Sequence, residues 1–331
     1  MFSGNSWSAA EPQSSYRRLK RFLTLHTFCY QSIAKLLLHW LPMQTYTLCL
    51  DRTNWQHGQK DINFLVLSIA WEGCSIPIFW ELLPKKSNSN SQERIDLMIR
   101  CLEVIPADKI ECLLADREFI GIKWFQWLMD NNIRFRLRIK GNTPVIGNSG
   151  KQIKAWQLFS HLRIGCQETW MTRRTVAGLS LHIGAHRSLK GLLIVVSPNQ
   201  PDNMVKDYYR RWSIEVLFAN LKSHGFDLES THITDPEKLK KLMAVMAIAV
   251  LWCLRVGHWK HGPYNQLPLL SHWRPEKCLF RYGLDLLRRS LKNDFTRQER
   301  LFFELLQVLS PTYIGEHYKV VSPPSFRPEC L

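Results

Sequence analysis

The chain has 331 residues, long enough for one α/β core carrying an insertion and a tail, and its 45% hydrophobic and 11% aromatic content excludes an intrinsically disordered polymer. Its 44 Lys and Arg against 28 Asp and Glu leave a net charge of +16 and a pI near 9.6. Such an excess favours a polyanionic partner by counterion release, and the 13 Trp and 9 Tyr interleaved with the cations could stack or anchor.

The same charge balance also fits a basic protein without such a partner, or one held at an anionic membrane surface. The nine cysteines form no CxxC pair and mostly sit in apolar runs, which points to a reducing cytoplasm. Met1 to Ala10 carries no basic n-region or long apolar h-region, so no secretory signal is expected. The longest apolar stretch, Leu242 to Leu254, is too short for a bilayer span and reads as a buried helix.

After a small, polar start (Met1 to Gln13), the run Tyr16-Arg17-Arg18-Leu19-Lys20-Arg21-Phe22 opens a helical segment reaching Trp40, which could touch DNA or simply be a solvated basic face. Tyr46 to Leu50 reads as a strand ending at Asp51. Ile62 to Trp71 and Ser75 to Leu82 read as two more, flanking a Glu72-Gly73 turn. Ser89 with Gln92 matches a capping box for a helix with apolar Ile95, Met98, Leu102 and Ile105. Ile110 to Ala115 is a strand ending at Asp116, Trp124 to Met129 is helical, and Ile133 to Ile139 alternates Arg with apolar residues as a strand does.

The order βββαβαβ predicts a mixed α/β sheet with flanking helices, in which the strands leading to Asp51 and Asp116 are neighbours. From Lys140 to Pro198, Gly, Asn and Ser turns punctuate short β-like runs such as Leu179 to Ile183 and Gly191 to Val196. Asn203 to His224 and Pro236 to Trp259 then read as helices. Lys260 to Leu331 is a basic tail with a helix around Leu284 to Leu291.

Asp51 and Asp116 each follow an apolar strand, which delivers two carboxylates to the sheet edge where ligands and metals gather. Either alone reads equally as a turn residue. A third partner stands in Asn203 to His224, where Tyr208, Arg211, Glu215 and Lys222 follow one another at helical spacings. At about 100° per residue they fall on one face of a continuous helix, while Ile214, Leu217, Phe218 and Leu221 form an adjacent packing face. The alternative is a surface helix with an ordinary Arg211–Glu215 pair. Three hard carboxylates without a His or Cys cluster suit Mg²⁺ or Mn²⁺, and two such ions can clamp both oxygens of an in-line phosphoryl transfer.

The run Tyr208-Tyr209-Arg210-Arg211-Trp212-Ser213-Ile214-Glu215, followed by Lys222, resembles the signature of the insertion-sequence-four family of bacterial DDE transposases. That signature has Tyr, two residues, Arg, three residues, Glu, six residues and Lys. Leu48 to Trp55 and Leu114 to Phe119 resemble the family's surroundings of its first and second aspartates. The resemblance also touches the Asn88-Ser89-Asn90 loop with Glu93-Arg94, and Phe280 to Asp285, so it covers about Asp51 to Leu291.

The resemblance implies an RNase H-like mixed sheet with flanking helices and a β-rich insertion before the helix of the catalytic Glu. The implied organisation is a short, truncated N-terminal helical segment at 1–44, a catalytic core at 45–140 and 201–259, the insertion at 141–200, and a basic tail at 260–331. It implies Asp51, Asp116 and Glu215 as catalytic ligands of two Mg²⁺ or Mn²⁺ ions. Tyr208, Arg211 and Lys222 would grip phosphates of DNA. The implied activity is cleavage at inverted-repeat ends and strand transfer through a hairpin, with double-stranded DNA and a second copy of the chain as partners.

Family members usually carry a longer amino-terminal DNA-binding region than the 50 residues before Asp51, so a non-catalytic DNA-binding remnant is one alternative and a related RNase H-like nuclease another. Glu118 is read as a solvated loop residue or a fourth carboxylate. Trp212 is read as a base-stacking or a core side chain.

Overall fold

A computed structural model describes residues 12–147, 150–199, 201–261, 277–292 and 295–310. In chain order its elements are α1 (Pro12–Leu25), α2 (Tyr30–His39), β1 (Tyr46–His57), β2 (Lys60–Trp71), β3 (Cys74–Leu82), α3 (Ser91–Leu102), β4 (Ile110–Ala115), α4 (Ile122–Asp130) and β5 (Phe135–Ile139). There follow β6 (Pro144–Ile146), β7 (Gln152–Lys154), α5 (Ala155–Leu158), β8 (Gln167–Val176), β9 (Leu179–Ser188) and β10 (Gly191–Ser197). The remainder is α6 (Met204–Tyr208), α7 (Trp212–Lys222), α8 (Pro236–Lys260), α9 (Leu279–Lys292) and α10 (Phe295–Gln307). By their contacts the described residues fall into two compact units, those within 43–218 and those within 12–42 together with 219–310.

The first unit is built on a 10-stranded sheet in the order β3-β2-β1-β4-β5-β10-β9-β8-β6-β7. β1 pairs parallel with β4 and β4 with β5, while β2 runs antiparallel to both β1 and β3. This is the mixed sheet that the βββαβαβ order implied, with the strands of Asp51 and Asp116 side by side. β10 pairs antiparallel with β5, so the short strands between 144 and 197 extend the same sheet.

Local chemistry accounts for these elements. β2 is buried from Ile62 to Trp71, as expected of a strand covered on both faces. Its hairpin to β3 turns at Glu72 and Gly73, both with positive φ (50° and 74°), the geometry of a type I′ turn for which Gly is suited. The capping box of α3 is Asn90 with Glu93, one residue later than the expected Ser89 and Gln92. Glu93 N–H donates to Asn90 Oδ1 at 2.9 Å, and Asn90 N–H donates to Glu93 Oε2 at 2.7 Å. Ser89 is drawn off instead by Arg94, whose Nε donates to Ser89 Oγ.

The second unit, among the described residues, is helical. The segment expected from Tyr16 to Trp40 is two helices, α1 and α2, separated at 26–29. α8 starts at an Asp235 cap with Pro236 in its first turn, and its Arg255 donates to the carbonyls of Trp40 (2.8 Å) and Ser310 (3.3 Å). α8 and α9 cross at Gly257 and Gly283, where a Cβ on Gly283 would overlap the Cys253 carbonyl oxygen. α9 contains the helix expected around Leu284 to Leu291. The polar start, up to residue 11, and the tail residues 262–276 and 311–331 lie outside the described residues.

Candidate active site

The parallel register places Leu50 of β1 opposite Ala115 of β4, so Asp51 and Asp116 are the next residues on neighbouring strands. Adjacent strands lie about 4.8 Å apart, which brings these two carboxylates to one edge. Asp51 does not end its strand as expected: β1 continues to His57, pairing Asp51 with Val66 of β2, and only the parallel neighbour stops. Side chains alternate along a strand, so Thr47, Cys49 and Asp51 share one face. That face meets the segment 208–215: Cys49 Sγ lies 3.7 Å from Ser213 Oγ, which in turn hydrogen-bonds Ser75 Oγ at 2.7 Å.

The expected continuous helix over 203–224 is interrupted. Asn203 is left-handed (φ 58°), α6 ends at Tyr208, and a 3₁₀ turn over Tyr209–Arg211 precedes α7. Three consecutive side chains with three different partners account for the break. Tyr209 Oη bonds His186 Nδ1, Arg210 Nη1 lies 3.0 Å from Glu111 Oε2, and Arg211 turns to the carboxylates. Glu111 also accepts a 2.6 Å hydrogen bond from Thr47 Oγ1, which ties the turn to β1 and β4. Val195, Met204, Val205 and Tyr208 form a buried cluster that seats α6 on β10, and Ile214, Leu217 and Phe218 give α7 its packing face.

Arg211, 8% exposed, bridges two acids: Nη1 lies 3.2 Å from Asp51 Oδ2, and Nη2 pairs with Glu215 Oε1. Burial raises the Asp51 pKa to about 7, outweighing Arg211 and the 2.8 Å hydrogen bond from Arg52 N–H, and the neighbouring Glu118 and Asp116 charges push the same way. Burial opposes the Arg211 charge, yet Tyr208, Glu215 and Asp51 together push its pKa up. Tyr208 lies with its ring centroid 5.7 Å from the Arg211 guanidinium, and burial pushes its phenol up, leaving a neutral donor. Tyr208 Oη and Arg211 Nε are buried donors without a hydrogen-bond partner among the described residues.

Asp116 is held by Arg138 of β5, Nη1 to Oδ1 3.4 Å. Asp51, Asp116, Tyr208, Arg211 and Glu215 are thus all placed by the first unit. Lys222 is described in the second unit, where its Nζ lies 3.1 Å from Glu229 Oε1. Glu118 is neither a solvated loop residue nor a bare fourth carboxylate, because Arg52 Nε lies 2.6 Å from its Oε1. Trp212 is half-buried. The family-like segments include Arg52 and Arg94 without giving them a role, and nothing in the sequence assigns one to Arg138. Arg52 follows an aspartate and Arg138 alternates along a strand, patterns that surface arginines share.

Oxygen donors of this kind fit a hard dication: the half-buried Asp51 carboxylate resists ionisation until positive charge is supplied. Glu215 is one guanidinium removed from Asp51, and no group of three His, Cys, Asp or Glu among the described residues is close enough to hold one ion.

A family model described as a transposase DDE domain matches residues 42–252, a span that holds the whole sheet, α6, α7 and all five of these side chains. The chain belongs to that family. No curated protein matches the sequence of this chain. Among solved structures it is similar to a piggyBac transposase in a synaptic complex with hairpin DNA, at 10% identity and a TM-score of 0.42, over 87% of this chain and 61% of that one. This chain thus spans about three fifths of that one. It is also similar to the HTLV-2 integrase catalytic core in complex with magnesium (12% identity, TM-score 0.23, 29% and 61% covered) and to an endonuclease V from Bacillus subtilis (9% identity, TM-score 0.30, 68% and 96% covered). No described helix is long and apolar enough to cross a membrane.

Proposed function

We propose that the protein is a cut-and-paste DNA transposase of the insertion-sequence-four type, cleaving at inverted-repeat ends and joining the freed end to target DNA. The observation that supports this best is the register that sets Asp51 beside Asp116, with Glu215 joined to Asp51 through Arg211, all inside the family's matched span. Asp51, Asp116 and Glu215 would hold two Mg²⁺ or Mn²⁺ ions, which when bound supply charge to both the attacking and leaving oxygens of an in-line displacement.

The chain's own residues do the rest. The Tyr208 hydroxyl and Arg211 Nε are donors without a partner among the described residues, which suits them to the non-bridging oxygens of a scissile phosphate; Lys222 would hold a phosphate further along the strand. Ser213, bonded to Ser75, and Arg210, bonded to Glu111, fix the turn that carries Arg211. In the first displacement a water oxygen bonds the phosphorus as the bond to the 3′-oxygen breaks, releasing a 3′-hydroxyl. That hydroxyl attacks the opposite strand to give a hairpin, water reopens it, and the 3′-hydroxyl then attacks target DNA. The +16 charge favours the DNA partner, with a homodimer holding both ends.

Purified protein is incubated with a labelled duplex of its element's own terminal repeat, with and without Mg²⁺ or Mn²⁺. Hairpin and joined products in wild type, lost in Asp51→Ala, Asp116→Ala and Glu215→Ala, are expected. Wild-type cutting by those variants would sink the reading. Cutting without joining would leave a related nuclease. Salt-sensitive binding with no cutting would favour a DNA-binding remnant, a second reading that the Arg211–Glu215 pairing keeps open.

A further inference from the structure

We propose that Arg52 and Glu118 are positioning residues, an ionic brace that sets the separation of Asp51 and Asp116 and holds the Glu118 carboxylate away from the cation site; this rests on the transposase reading above. Arg52 directly follows Asp51 on β1, and Glu118 lies two residues after Asp116 in the turn that closes with Phe119 N–H donating to Asp116 O at 3.0 Å. A bond between Arg52 and Glu118 therefore links the two segments that carry the aspartates. Because side chains alternate on β1, Arg52 projects from the sheet face opposite to Asp51 and grips this edge from behind.

The geometry uses the whole guanidinium. Nε donates to Glu118 Oε1 (2.6 Å) and Nη2 to Glu118 Oε2 (2.9 Å), a bidentate fork. The second Nη2 hydrogen serves Asn88 Oδ1 (2.6 Å), and Nη1 serves Asn63 Oδ1 (3.1 Å) and the Ser87 carbonyl (3.3 Å). All five donors of Arg52 thus meet an acceptor, a pattern that lysine's compact ammonium cannot reproduce. Asn63 in turn donates to the Lys85 and Ser87 carbonyls at 2.8 and 3.2 Å.

Arg94 of α3 holds the same turn from the other side. It is 4% exposed, its Nη2 donates to the Glu118 carbonyl at 3.1 Å, and its guanidinium sits 5.0 Å from the Phe119 ring centroid. Glu118 is therefore fixed by both its side chain and its backbone, and the 87–90 loop supplies acceptors to both arginines. A surface ion pair would need none of this. With both carboxylate oxygens already in the Arg52 fork, Glu118 acts on the site through where it puts Asp116.

The test reads Mn²⁺ binding, by the loss of the free-ion spin-resonance signal on titration to millimolar concentrations with and without a terminal-repeat duplex. The proteins are wild type, Glu118→Gln, Arg52→Lys, their double variant and Asp116→Asn, each also melted to establish folding. Outer-shell partners of metal ligands typically change affinity by about 10- to 100-fold. Glu118→Gln and Arg52→Lys are each expected to weaken binding by about tenfold or more, and the double variant to be no worse than the weaker single, since both remove one brace.

If Glu118→Gln does not fold, Arg52→Lys, which keeps the charge and loses the fork, carries the comparison. Wild-type affinity in the single variants, beside loss in Asp116→Asn, would overturn the brace while leaving the transposase reading intact. Additive losses in the double variant would overturn it in favour of Glu118 as a ligand. Unchanged binding in Asp116→Asn would remove the aspartate site itself, and the brace with it.

Discussion

The two halves of the sheet are made of different chemistry. From β3 to β5 the strands are largely buried, with Leu48, Leu50, Leu113, Phe135 and Leu137 inaccessible, and the acids Asp51 and Asp116 stand at one edge of that frame. From β6 to β8 the strands are half-open: β8 buries only Val176, and Ile146 and Met171 are exposed. Charge divides the same way. Glu168 is the single carboxylate between residues 141 and 199, a stretch that includes Lys151, Lys154, Arg163, Arg173, Arg174 and Arg187. The first half buries the strands that carry the acids; the second is open and basic, the composition that the proposed contact with a phosphate backbone calls for.

The comparison breaks most visibly on turnover. Asp116→Asn is expected to lower cutting of a terminal-repeat duplex by at least about 1,000-fold, roughly 4 kcal/mol of transition-state stabilisation, with binding retained. Lys151→Ala is expected to leave the rate at saturating DNA within about twofold. Single-turnover assays on both variants check this. An equal loss in the two would mean that the halves do not divide the work as proposed.

Stability should divide as well. Phe135→Ala empties a fully buried position on β5 and is expected to cost about 3–5 kcal/mol in denaturant unfolding, whereas Ile146→Ala, 36% exposed on β6, should cost under about 0.5 kcal/mol. Comparable losses would show that the exposed half is covered in solution.

How much of this could be read beforehand follows from the range of the interactions. The strands, the hairpin at Glu72-Gly73, α4, β5 and α8 were legible because hydrophobic period and turn chemistry are local. Asp51, Asp116 and Glu215 stood out through motif spacing, and the β1–β4 register bears out that the two strands are neighbours. The 3₁₀ turn at 209–211 was not legible, since each of Tyr209, Arg210 and Arg211 leaves the helical path for a partner 23, 99 or 160 positions away. The role of Glu118 was hidden for the same reason: its partner Arg52 is 66 positions off. The capping box slipped by one residue because Arg94 competes for Ser89, which propensity cannot anticipate.

A subtler difference between the halves is that the half-buried acid paired with a buried arginine, Asp51, lies in the first. Folding raises the Asp51 pKa from 3.8 to about 7, so between about pH 4 and 7 the folded chain binds more protons there than the unfolded chain. That contribution to stability is full below about pH 4 and is lost as pH rises through about 7, on the order of a few kcal/mol. Asp51→Asn, neutral throughout, should therefore gain on wild type in chelator-treated melts as pH rises from 5 to 8. A gap that stays constant with pH would mean that Arg211 compensates the Asp51 charge in full.

The smallest effect concerns the basic half. If Lys151 and Lys154, both exposed, meet phosphates, each removal should make the slope of log K against log salt shallower by about 1, with no change in sequence preference. Lys151→Ala with Lys154→Ala should then shift the slope by about 2, while Lys109→Ala, an exposed lysine just before β4, leaves it unchanged. Binding isotherms of Asp116→Asn protein on a terminal-repeat duplex from about 50 to about 200 mM salt keep cutting out of the measurement. Equal shifts from Lys109 and from the pair would spread the DNA contact over both halves. The open strands would then owe their exposure to something other than DNA.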